Sequence, residues 1–359
     1  MPEPTVADVG EDALVSAVLR TLTASGSRDP EPGPRVVVPP GDDAAVVADA
    51  GPVVVTTDTL VVGVDFRLDW SSAADVGRKT VVQVLADVEA MGARPTGLVV
   101  SLTAPGDLPL SWATGLAAGL GEGAAAAGAA VLGGDVAEGP VTVVTGTGLG
   151  VLDGPAPPVT RAGARPGDVV ALLPLPGRPL GASAAGLAAL SAGVGTLASP
   201  EAPADWDAGA REALTTCLAA HRAPVVDHRA GAVARAAGAT SMIDVSDGLV
   251  RDVLRVAQAS GVVVDLDGAA LSPGDDLRAL ATALDPADRD LARRWVLTSG
   301  EEHAMLATFP AGALPPGAHV VGACREPAAG EQPGVLVDGA DPAPLAGATG
   351  GWTHYGRRP

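Results

Sequence analysis

Apolar and polar positions along this chain fall into short runs, and the period of each run assigns an element. Val-rich, β-branched stretches at 35–38, 53–57, 97–102 and 141–151 predict strands. Between them, apolar residues at helical spacing predict helices over 72–91 and 109–128. The Pro- and Gly-dense segment DGPAPPVTRAGARPGD at 153–168 breaks the pattern and divides the chain into a domain of residues 1–152 and one of residues 153–359. Beyond the break, VVALLPL at 169–175 predicts a strand and ASAAGLAALSAG at 182–193 a helix. Helices are predicted over 209–221 and 227–237, a strand over 241–245 and a helix over 249–260. The segment 195–210 predicts a loop or insertion. Strands mixed with helices in both halves predict a two-domain α/β (α+β) protein. No short-period repeat is present.

The helix over 72–91 carries the sharpest local signal. Ser72 with Asp75 three residues on reads as a capping box. At 100° per residue, Val76, Thr80, Val84, Asp87 and Met91 fall on one stripe, so Asp87 stands in the apolar face of its own helix. A carboxylate there costs several kcal/mol unless it is paired or bound to a cation. An arginine partner and a metal are both open at this point.

Asp87 is one of five acidic clusters: GDDAA at 41–45, TTDTL at 56–60, LADVEAMGA at 85–93, GGD at 133–135 and IDVSDGL at 243–249. Most set an aspartate beside Gly, Ser or Thr near the end of an apolar run. In VVVTTDTLV, period-2 geometry sends Thr56 and Asp58 to one face and Thr57 to the other. After the short run AAVL, Gly133 and Gly134 would let a backbone approach a phosphate, with Asp135 beside it. Asp244 and Ser246 share a face, and Asp247 opens the helix at 249–260. Each cluster alone also reads as a turn or cap. Together they predict an oxygen-rich site for Mg²⁺ and a polyphosphate.

Composition narrows the classes. The net charge of −19 argues against nucleic acid, and no basic run points to a membrane surface. Aromatics are only 2% of the residues, Lys79 is the only lysine and Asn is absent, so many Ala and Gly positions carry no message. Cys217 and Cys324 lack metal spacing and read as reduced thiols of a cytoplasmic protein. No signal peptide is read at the start, and Gly, Pro or charge interrupts every apolar run before the ~18 residues of a membrane span. GxxxxGK[ST] and GxSxG are missing. GTGLG at 146–150 closes a strand instead of opening a helix. His221 and His228 read as surface or packing residues.

In their order and spacing, GDDAAVV, TTDTLVVGVDF, DVGRKTVVQVLADVEAMGARPTG, VLGGD, TRAGARPGD, SAAGL and IDVSDGL resemble the thiamine-monophosphate kinase family. That family belongs to the ATP-binding superfamily of aminoimidazole ribonucleotide synthetase and selenophosphate synthetase. The resemblance implies an N-terminal synthetase-like α/β domain, a C-terminal α+β domain, and a homodimer joined through the N-terminal sheet. It implies transfer of the ATP γ-phosphate to thiamine monophosphate, with several Mg²⁺ ions and no enzyme nucleophile. Matched motif by motif, the implied metal ligands are Asp43, Thr56, Thr57, Asp58, Asp87, Asp135, Asp244 and Asp247. Gly134, Asp135, Arg161 and Ser246 fall at nucleotide-contacting positions. The GVDF segment with Asp65, a glutamate of SGEEH (Glu301 or Glu302) and Trp352 fall at substrate-contacting positions.

Three positions depart from the pattern: Asp65 replaces a His, SGEEH stands for SGGED, and Val84 replaces a helical Asn. Two alternatives follow from them, a non-catalytic Mg–nucleotide-binding paralogue and another ATP-using enzyme of the superfamily.

Overall fold

Ser72 and Asp75 form the reciprocal cap their spacing predicts. Ser72 N–H donates to Asp75 Oδ2 at 3.0 Å, and Asp75 N–H donates back to Ser72 Oγ at 3.2 Å. In the computed structural model this cap starts one of the long helices of an N-terminal unit. The structure describes residues 4–9, 11–24, 35–38, 46–48, 51–347 and 350–352. GDDAA, and Asp43 with it, lies outside the described residues.

The chain forms two compact units, one of Met1–Glu89 with Ala93–Pro155, the other of Ala90–Gly92 with Ala156–Pro359. The first opens with α1 (Val6–Val9), α2 (Glu11–Ala24) and the paired strands β1 (Arg35–Val38) and β2 (Val46–Ala48). Next come β3 (Val53–Val61), α3 (Ala73–Ala90), β4 (Arg94–Ala104), α4 (Leu110–Ala126), β5 (Ala130–Glu138) and β6 (Val143–Val151). Four of these strands make a sheet in the order β3-β6-β4-β5, antiparallel except for the parallel pair β4–β5.

GTGLG finds its purpose in this sheet. A Cβ on Gly146 would stand 2.6 Å from Val84 Cγ2, one on Gly148 2.8 Å from Val84 Cγ1, and one on Gly150 2.2 Å from Val88 Cγ1. Three glycines two apart therefore clear one face of β6 so that α3 can lie against it. Val76, Thr80 and Val84 of the expected stripe are fully buried. The opposite sheet face is open, with Val53 58%, Val55 61% and Val99 39% exposed.

The second unit contains β7 (Val169–Leu172), α5 (Ala182–Ser191), α6 (Ala208–Arg222), α7 (Ala230–Ala236), β8 (Ser241–Val245) and α8 (Leu249–Ser260). It continues with β9 (Val263–Leu266), α9 (Asp275–Leu284), α10 (Leu291–Thr298), β10 (Ala304–Phe309), β11 (His319–Arg325), β12 (Gly334–Val337) and α11 (Ala343–Ala346). Its six-stranded sheet runs β12-β9-β11-β7-β10-β8, which places β8 at one edge. Residues 195–207 carry no helix or strand. Among the described residues, no helix is long and apolar enough to cross a membrane.

Candidate functional site

Two of the acidic clusters, those of Asp58 and Asp87, meet on the helix-covered side of the first unit's sheet. Thr56 and Asp58 point from β3 toward α3, where Gln83 and Asp87 lie one turn apart on a single helix face. Thr56 Oγ1 donates to Asp87 Oδ2 at 2.8 Å, and Gln83 Nε2 donates to Asp58 Oδ2 at 2.8 Å. Asp58 Oδ1 also accepts the Thr59 N–H at 2.7 Å. Strand and helix are thus joined by two polar rungs, and the Asp87 carboxylate meets a hydroxyl.

Register separates the other candidates from this cluster. Thr57 lies on the opposite face and donates its hydroxyl to Gly146 O at 3.0 Å. Asp58 aligns through Gly146 and Val100 with Gly134, whereas Asp135 aligns through Ser101 and Thr145 with Thr59. Aligned residues share a face, so the exposed Asp135 falls on the side of Thr57, away from Asp58. Gly134 has a packing reason to be glycine, since its Cβ would stand 1.9 Å from Val100 O.

Asp65 closes its own loop: its Oδ2 accepts the Val61 N–H at 2.8 Å, and its N–H donates to Val61 O at 2.9 Å. Lys79, buried in α3, donates to Asp65 O at 3.1 Å. The carboxylate at the position of the pattern's His is engaged with the backbone that positions it.

The second unit gathers its candidates at the end of β8. Glu301 N–H donates to Ser246 O at 2.8 Å, and Trp352 N–H donates to Asp247 O at 2.8 Å. Glu301 of SGEEH and Trp352 therefore both border the loop Ser246–Gly248. Arg161 is held from below: its carbonyl accepts the hydroxyls of Ser241 and Ser260, each at 3.0 Å, while the residue itself is exposed.

Two of the candidate side chains are buried and paired. Asp244 is buried, and its Oδ2 pairs with His303 Nδ1 at 3.1 Å. Glu302 is fully buried as well. Its Oε1 accepts the N–H groups of Gly181 and Ser183 at 3.0 and 2.9 Å, and its Oε2 pairs with Arg178. The Glu302 carboxylate thus holds the start of α5. Glu301 is the half-exposed member of the pair, its Oε2 3.2 Å from His221 Nδ1. His221 itself is buried, as the packing reading has it.

Asp252 is a site-building residue that motif reading passes over. It sits in the first turn of α8, and its Oδ2 accepts the N–H groups of Ser246, Asp247 and Gly248 at 3.0, 3.0 and 3.1 Å. Arg255 bridges Asp252 to Asp247, and Arg251 Nε lies 3.6 Å from Asp247 Oδ2. Burial, reinforced by the Asp244 charge, pushes the Asp252 carboxyl up to about 7, against the pull of Arg255 and the Asp247 N–H. An acidic residue in a helix's first turn is its one sequence signal, and ordinary helix capping shares it.

Among the described residues, no three His, Cys, Asp or Glu side chains converge as a metal-holding group. The donor chemistry nevertheless fits a hard divalent cation. Thr56, Asp58 and Asp87 offer only oxygen, and Gln83 Oε1 beside them is buried without a hydrogen-bond partner.

The fold and these clusters define the class. Residues 41–152 match the family described as AIR synthase related protein, N-terminal domain. The thiamine-monophosphate kinase of Mycobacterium tuberculosis (strain CDC 1551 / Oshkosh) is 41% identical over 357 residues, covering 98% of this chain and 94% of that protein. The crystal structure of thiamine-monophosphate kinase from Stenotrophomonas maltophilia K279a aligns with a TM-score of 0.72 at 28% identity, covering 90% of this chain and 96% of that one. The structure of AaThiL complexed with AMPPCP and TMP shares the fold, with a TM-score of 0.70 at 24% identity over 97% of this chain and 98% of its own. The chain belongs to the thiamine-monophosphate kinase family.

Proposed function

We propose that this chain phosphorylates thiamine monophosphate to thiamine diphosphate by direct transfer of the ATP γ-phosphate, assisted by several Mg²⁺ ions. The observation that carries this reading is the 41% identity to a thiamine-monophosphate kinase along 98% of the chain. Phosphoryl transfer needs positioning and charge neutralisation more than covalent help. When bound, Mg²⁺ would neutralise phosphate charge and orient the phosphates.

Asp58, Asp87 and Thr56 would hold cations in the first unit, and Asp247 in the second. Asp43, Thr57, Asp135 and Asp244 complete the ligand set the motifs imply. Thr57 and Asp135 would act from the other sheet face only where a second copy leaves it uncovered, and Asp244 only if it gives up His303. Arg161, with its backbone pinned and its planar guanidinium exposed, suits phosphate oxygens. Ser246 and Gly134 would meet the nucleotide. Glu301, Trp352 and the Asp65 loop would contact the thiamine substrate.

The open face of β3 and β4 would pack against a second copy, giving a homodimer. Its support is the exposed apolar trio Val53, Val55 and Val99. The cytoplasm is the expected location. Alanine at Asp58 or Asp247 should abolish thiamine diphosphate formation in a protein that keeps its circular dichroism spectrum. Full turnover in both variants would overturn the metal-assisted reading.

A further inference from the structure

Gln83 is the one member of the β3–α3 cluster that the acidic motifs do not include. It lies one turn before Asp87 and donates Nε2 to Asp58 Oδ2 at 2.8 Å. The carboxylate decides which end of the amide faces it, because an amide oxygen there would meet an acceptor. Oε1 is therefore the end left over, and it is buried without a hydrogen-bond partner.

A buried acceptor without a donor lowers stability, so packing alone favours an apolar residue of this length. Methionine would fill the same space without the unpaired oxygen, at the cost of the single hydrogen bond to Asp58 Oδ2. The neighbouring Val84 shows what packing selects on this helix: its two methyl groups press against Gly146 and Gly148. A glutamine kept beside Asp58, with an uncommitted oxygen, fits a ligand that arrives after folding. Its chemistry is that of a neutral hard oxygen next to a carboxylate, which suits a divalent cation and its bound water.

We propose that Gln83 belongs to the divalent-cation site of β3 and α3, holding Asp58 through its amide nitrogen and giving its amide oxygen to the cation's oxygen shell. The inference rests on the metal-assisted reading above and adds a residue that the motifs omit. Gln83 is a positioning residue for Asp58, and the stability of the cation-free protein does not depend on its oxygen.

The test is Mn²⁺ binding to the full chain in the presence of a non-hydrolysable ATP analogue, measured by electron paramagnetic resonance beside the thermal midpoint of the cation-free protein. Gln83→Met should weaken Mn²⁺ binding about 10-fold or more, the usual cost of losing an outer-shell partner. Its cation-free midpoint should fall by no more than about 2–4 °C, the scale of the one hydrogen bond lost to Asp58. Unchanged Mn²⁺ affinity in Gln83→Met would overturn the inference. A midpoint lowered well beyond that would also overturn it, by making Gln83 a packing residue. Asp58→Ala is the control for the underlying reading: if it binds Mn²⁺ as tightly as the unsubstituted protein, the cation reading of this cluster fails, whatever Gln83→Met does.

Discussion

Thr56 and Asp87, 31 residues apart, are joined by a 2.8 Å hydrogen bond from the threonine hydroxyl to the aspartate carboxylate. This bond lets a carboxylate sit in the apolar stripe of α3, and it sets Asp87 beside the strand that carries Asp58. Thr56→Val keeps the shape and removes the donor. Stability should fall by about 1 kcal/mol, the usual net value of one such bond. Turnover should fall by at least about tenfold, the scale expected when a metal ligand loses its orienting partner. Steady-state kinetics beside a urea melt would check both, and unchanged kinetics would show that the bond serves the fold alone.

The glycine strip of β6 makes a packing prediction. Gly146→Ala puts a methyl 2.6 Å from Val84 Cγ2 and should destabilise the protein by about 1–3 kcal/mol. Adding Val84→Ala opens space beside that methyl, so the pair should lose less than the sum of the two single changes. Chemical denaturation of the four proteins would measure the coupling. Strict additivity would mean that the helix does not rest on this strip.

Glu302 and Arg178 form a pair inside the second unit, with side chains 0% and 4% exposed. Removing one partner of a buried pair leaves a charge without compensation and costs about 3–5 kcal/mol. Glu302→Ala should lose that much and should also leave the Gly181 and Ser183 N–H groups without their acceptor. Glu302→Gln, which keeps an oxygen for the start of α5, should lose less. Equal thermal midpoints for the two variants would count against this assignment.

Burial pushes both thiols, Cys217 and Cys324, up to about 12. The thiolate is the reactive form, and a raised pKa means the neutral thiol prevails well above pH 8. The folded protein should therefore resist a disulfide reagent at pH 8, and both thiols should react once it is denatured. Rapid labelling of the native protein would show that one of the two sites opens.

The open sheet face predicts a change in assembly. Val55→Asp sets a charge in the middle of the exposed trio and should convert a dimer to a monomer in light scattering. A monomeric unsubstituted protein would remove the homodimer from the account.

Much of the site was legible because the acidic motifs stand at strand and helix ends, and a capping box or a β-branched run is a local signal. Ser72 with Asp75 and the stripe through Asp87 needed only the 100° period. The side of the sheet taken by Asp135 was not legible, since register depends on partners distant in sequence. The same holds for Asp244, whose partner His303 lies 59 residues away, and for Glu302, whose partner Arg178 lies 124 residues away. No element was read beyond residue 260. There AMLATF of β10 runs buried between β7 and β8 and shows no alternation, so its period names neither a strand nor a helix.

The central claim is best tested by following the γ-phosphate itself. Purified protein would be given Mg²⁺ and ATP labelled at the γ-position, with thiamine monophosphate in one reaction and thiamine in a parallel one. The account predicts label in thiamine diphosphate only when the monophosphate is present, with ADP formed in equal amount. Label released as free phosphate regardless of acceptor, or no transfer to thiamine monophosphate despite nucleotide binding, would contradict it.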